Sequence, residues 1–131
     1  MKKSFLLTLA SAAMSVGLTS CSPYSSHYSA ILMVENHTPK NSSISFQSLK
    51  GTFVFNMSFG PDNSKLTYSG KIDSGAANIY YDNSGTKKQL FALEAGEDVQ
   101  DTFTELHEGK LYIIIETVDA CKAGEFHFVI S

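Results

Sequence analysis

The chain has no tryptophan, and not one of its 10 basic Lys and Arg residues is an arginine. Without arginine there is no bidentate reader of base edges, and the 13 acidic residues leave a net charge of −3, so no basic face exists to neutralise phosphates. Nucleic acid is thereby excluded as a partner. The missing tryptophan removes the commonest side chain for stacking on sugars. Two cysteines in 131 residues are too few for a disulfide-built scaffold. No apolar run reaches the roughly 20 residues that a membrane-crossing helix needs. At this length one domain is expected, large enough to bury a core of its own.

What the chain does have begins at its start. Lys2-Lys3 precedes an apolar run from Phe5 to Leu18, diluted by Ser, Thr, Ala and Gly, of the length of a signal-peptide core of about 7–15 residues. The run ends in Leu18-Thr19-Ser20-Cys21, which resembles the lipobox of bacterial lipoprotein precursors: an aliphatic residue, two small ones, then the acylated cysteine. The resemblance implies a helical signal peptide over 1–20 and a covalent lipid on Cys21 as the only prosthetic group. It also implies anchoring to a membrane, facing the extracytoplasmic side of a bacterial cell envelope. The mature charge would then be −5, from eight lysines against 13 acids. A second reading pairs Cys21 with Cys121 after ordinary signal cleavage in an oxidising compartment. Residues 21–42 are serine-rich and aperiodic, and are expected to form a flexible tether with one short strand at Ile31–Val34.

From residue 43 to 131 the signal is alternation. Ile44 and Phe46 share one face. Phe53, Phe55, Met57 and Phe59 then occupy every second position after Gly51. Leu66, Tyr68 and Gly70 follow, then Ala77, Ile79 and Tyr81, and a turn at Asp82-Asn83-Ser84-Gly85 whose Asx side chains suit tight backbone reversals. Gln89–Leu93 is a strand with either Phe91 and Leu93 or Leu90 and Ala92 inward. Glu94–Gln100 reads as an acidic loop and Thr102–Leu106 as a short strand. Leu111, Ile113 and Ile115 form an inward set, Asp119–Gly124 reads as a loop holding Cys121, and Phe126, Phe128 and Ile130 close the core. Ile114 and Val129 fall on outer faces. Seven to nine short strands without helical period define an all-β, antiparallel two-sheet β-sandwich, jelly-roll or immunoglobulin-like, with a barrel as the alternative.

Three stretches, Tyr80-Tyr81-Asp82-Asn83-Ser84-Gly85, Glu108-Gly109-Lys110-Leu111-Tyr112-Ile113 and Ala123-Gly124-Glu125-Phe126-His127-Phe128-Val129-Ile130, resemble the pre-peptidase C-terminal domain of secreted bacterial proteins. The resemblance implies an accessory sandwich module, some of whose relatives bind carbohydrate or collagen with calcium. No attached peptidase is expected, and no dense acidic loop opens the domain.

No catalytic constellation can be assembled from the spacing. The four histidines, His27, His37, His107 and His127, are scattered, and Glu105 with His107 makes at most a surface pair. The acids from Glu94 to Glu108 have no apolar surround to raise a carboxyl pKa for glycoside hydrolysis. Calcium would suit them better, but no Asp-x-Asp-x-Asp-Gly spacing occurs, so no metal site is assigned. Tyr80 and Tyr112, outward on different strands, are the remaining handles for ligand binding, since aromatic faces stack on sugars and anchor interfaces. The expected function is a non-catalytic binding module for a protein, glycan or cell-wall ligand. Its alternative is a structural or assembly subunit using an exposed strip such as Ile31–Val34, and a calcium-dependent adhesion module is a further, weaker reading.

Overall fold

A computed structural model describes residues 24–131, so the expected signal peptide and Leu18–Cys21 lie outside the described residues. Eight strands follow one another: β1 (His27–Ile31), β2 (Val34–Thr38), β3 (Asn41–Phe59), β4 (Leu66–Lys71), β5 (Ser74–Asp82), β6 (Lys88–Glu94), β7 (Asp98–Phe103) and β8 (Gly109–Ile130). All pairings are antiparallel, and no described residue is helical.

The two long strands explain the architecture. β8 pairs with β3 along its whole length, but its first half also pairs with β5 and its second half with β4. β3 likewise takes β1 against its middle, at Ser48–Thr52, and β2 against its first residues, at Asn41–Ser45. The sheet is therefore one fabric folded across a single crease. Layer one runs β3, β8, β5, β6 and layer two runs β2, β3, β8, β4, β7, with β1 lying across the crease on the free side of β3. The end strands of each layer pair on one side only, so the fold is an open sandwich and not a barrel.

Aromatic rings join the layers. Tyr68 on β4 stacks on Phe91 of β6 at 4.9 Å, Phe128 on β8 meets Phe55 of β3 at 5.5 Å, and Tyr81 on β5 meets Phe103 of β7 at 5.0 Å. The alternating sets read from the sequence line this interior, including Phe53, Met57, Leu66, Ile79, Leu111, Ile113, Phe126 and Phe128. Phe91 and Leu93 are the inward pair on β6. Truncating a buried phenylalanine such as Phe126 to alanine would cost about 3–5 kcal/mol.

At the crease, β8 inserts two extra residues relative to β3, because Glu116 faces Thr52 but Cys121 faces Leu49. Bulges bend and twist a strand, which is what a fold-over demands. Gly51 sits here at φ +115°, and a Cβ on it would lie 2.2 Å from the His27 carbonyl oxygen of β1. Gly51 is registered with Tyr28 of β1 but has no partner on β8; on that side the Gly51 N–H donates to Thr117 Oγ1 at 2.7 Å, and that hydroxyl donates to the Gly51 carbonyl at 3.1 Å.

Four local expectations are corrected. Asp119–Gly124 is not a loop but the bulged middle of β8, since a bulge keeps backbone pairing through the bend. Asp98–Gln100 is strand, not acidic loop, because β7 finds an edge on β4. Ile31–Val34 is not one strand: Ile31 ends β1, Val34 starts β2, and Leu32 at φ +50° turns the chain between them. Much of the expected tether is edge strand, held by backbone bonds to β3 that need no apolar period. Gly51→Ala should lower stability by about 1–3 kcal/mol through strain alone, and Thr117→Val by a similar amount, about 1–3 kcal/mol, through the orphaned Gly51 backbone. Urea unfolding checks both, and unchanged midpoints would refute the crease account.

Candidate functional site

Layer two carries an outer face built for polar contact. Register aligns two rows straight across its five strands. One runs Asn36, Ser43, His127, Ser69, Gln100, and the next Val34, Ser45, Glu125, Lys71, Asp98. These residues line two adjoining hollows of about 280 Å³ and about 230 Å³, which share Glu125 and His127. The serines keep the floor low on β3 and β4, and Glu125 and His127 form a ridge between the hollows. That ridge is braced: Glu125 accepts from His127 Nε2 at 3.3 Å and lies 3.9 Å from Lys71 Nζ. At a strand spacing of about 4.8 Å, five strands make a groove roughly 19 Å long. Of its ten side chains only Val34 is apolar.

Tyr80 and Tyr112 lie elsewhere, on the outer face of layer one. Register pairs Tyr80 with Ile114 and Tyr112 with Asp82, so the two tyrosines are diagonal neighbours on adjacent strands. Neither ring stands bare. Lys87 Nζ sits 4.4 Å over the Tyr80 ring and pairs with Glu116, and Tyr112 meets the Tyr24 ring at 5.5 Å. Ile114 points outward between Val54 and Tyr80 yet is only 1% exposed. Val129, on the outer face of layer two, stays exposed.

The N-terminal end of the described chain is fastened to this same face. The Tyr24 hydroxyl donates to Asp82 Oδ2 at 2.6 Å, and Asp82 Oδ1 accepts the Gly85 N–H at 2.7 Å, closing the Asx turn that the sequence indicates. Ser26 Oγ accepts the Val54 N–H at 2.8 Å and donates to the Val54 carbonyl at 3.3 Å. Burial first, then the hydrogen bond to Asp82 and its charge, push the Tyr24 phenol up to about 12.

Other candidates disperse. Glu105 and His107 lie in a segment without strand, beside a hollow of about 130 Å³ at the mouth formed by Tyr81 and Phe103. Asn83 holds that segment in place, accepting the His107 N–H at 2.7 Å and donating to the His107 carbonyl at 3.0 Å. Among the described residues no three His, Cys, Asp or Glu side chains converge as a metal site would require. Cys121 is a buried free thiol whose Sγ donates to the Ala76 carbonyl at 3.4 Å, and burial pushes its pKa up, which makes it a poor nucleophile. Cys21 lies outside the described residues.

No family model matches the chain, and no curated protein matches it. Among solved structures it is similar to a CBM4 protein at 13% identity, covering 81% of this chain and 77% of that one, with a TM-score of 0.40. A family 29 carbohydrate-binding module complexed with mannohexaose shares 12% identity over 82% of this chain and 91% of that one, with a TM-score of 0.40. The CENP-C cupin domain of Drosophila melanogaster shares 11% identity over 76% of each chain, with a TM-score of 0.35. Likeness at this level assigns no ligand and no activity.

Two titrations test the local chemistry. A phenol with a raised pKa contributes stability that is complete below its ordinary value of about 10 and is lost as pH rises through the folded value. The absorbance difference between wild type and Tyr24→Phe should therefore show phenolate forming near pH 12, and a curve centred on 10 would refute the clamp. Cys121 should resist a small alkylating reagent in the folded protein and react once urea unfolds it.

Proposed function

We propose that this chain is a lipid-anchored protein of the bacterial cell envelope whose folded part is a non-catalytic module binding an extended glycan. The groove across layer two carries the second half of that reading. Its two cross-strand rows offer hydroxyl, amide, imidazole, ammonium and carboxylate groups, the donors and acceptors that a chain of sugar hydroxyls requires. A protein partner would ask for an apolar, partly aromatic interface core, and the groove has none. Glu125 and Asp98 are its only carboxylates. Glu125 is half-exposed and already engaged by His127 and Lys71, whereas a general acid needs a secluded, apolar surround. Leu18-Thr19-Ser20-Cys21 supports the anchor.

The competing reading, an assembly subunit, is favoured by one observation: Leu32 is 75% exposed, and Ile31, Val34 and Val118 are also bare at the crease end. Affinity electrophoresis against soluble cell-wall polysaccharides separates the two. Retardation by at least one polysaccharide is expected, weakened about tenfold or more by His127→Ala combined with Gln100→Ala. Loss on Tyr80→Ala or Tyr112→Ala instead would move the site to layer one. No retardation, together with self-association abolished by Leu32→Ser, would favour assembly. For the anchor, a fatty-acid analogue should label the wild type and not Cys21→Ala; label on the variant would end that claim.

A further inference from the structure

We propose that the outer face of layer one around Tyr24 and Tyr112 lies against the bilayer, so that the groove of layer two is held facing away from it. The inference rests on acylation of Cys21 and adds to it a fixed orientation. Only Ser22 and Pro23 separate Cys21 from Tyr24. Three residue steps span at most about 11 Å even when fully extended. Tyr24 is itself pinned by its bond to Asp82 and its ring contact with Tyr112, and Ser26 by two bonds to Val54. The lipid is therefore leashed to one spot on layer one by a short lead, and not to a long swinging tether.

The chemistry of the two faces agrees with that placement. Around Tyr24 the surface offers half-exposed Tyr112 and exposed Asn56 and Lys110. Tyrosine and lysine are side chains suited to the headgroup level, one amphipathic and the other drawn to anionic lipid. Layer two places Asp98 and Glu125 on its outer face with Lys71 between them, and Glu97 at the turn before β7, a net acidic set. Anionic headgroups repel such a surface. A sheet-to-sheet distance of about 10 Å, plus the outer side chains, then separates groove from membrane.

The test uses the full lipidated chain in vesicles of phosphatidylethanolamine and phosphatidylglycerol containing a headgroup-quencher lipid. With Cys21 acylated and Cys121 buried, a cysteine introduced by Asn56→Cys or Gln100→Cys is the one site open to a fluorophore. Quenching at position 56 should exceed that at position 100 several-fold. Tyr24→Ala should bring the two toward equality, and Tyr24→Phe, which keeps the ring, should do so less. Equal quenching in otherwise wild-type protein that floats with the vesicles overturns the orientation while leaving the anchor standing. So does a contrast untouched by Tyr24→Ala. Protein that does not float at all overturns the anchor, and the orientation with it.

Discussion

One hydroxyl holds the fold at its weakest line. Where the sheet doubles over, Gly51 drops out of the β3–β8 ladder, and Thr117 supplies both the acceptor and the donor on that side. A buried amide without partners costs about 1–3 kcal/mol, a large share of what a domain this size has to spare. The glycine is equally constrained, since β1 passes so close that no side chain fits. Everything else follows from that bend. It sets Tyr68 against Phe91 and Phe55 against Phe128, and it turns one continuous sheet into two layers with opposite outer faces.

Much of this was legible in the chain. The period-two sets from Ile44 to Ile130 name the interior almost completely, because a half-buried strand leaves an unambiguous trace. The Asp82–Gly85 turn could be read down to its hydrogen bond. What misled was change of phase. Ile44 and Phe46 are even-numbered and Phe53 to Phe59 odd, a break that reads as two strands with a loop but is one strand kinked at the crease. Asp119–Gly124 misread for the same reason. β1 and β2 left little trace, since a mostly exposed edge strand is held chiefly by its backbone partners.

The binding face was the harder case. Ser43, Ser45, Ser69, Lys71, Glu125 and His127 were visible as outward positions, but outward polarity is the ordinary condition of a strand. Their alignment into two rows depends on which strand lies beside which, and β8 sits between β3 and β4 against the order of the chain. Tyr80 and Tyr112 stood out because aromatics are conspicuous in a sequence. In the structure they are neighbours, with Lys87 and Tyr24 resting on them.

That placement of β8 bears on how the molecule comes into being. The final 22-residue strand is the centre of both layers at once, and no hairpin made earlier can substitute for it. Contacts so distant along the chain close slowly, because loop entropy must be met before any packing rewards it. Until Ile130 has left the ribosome the polypeptide has no middle.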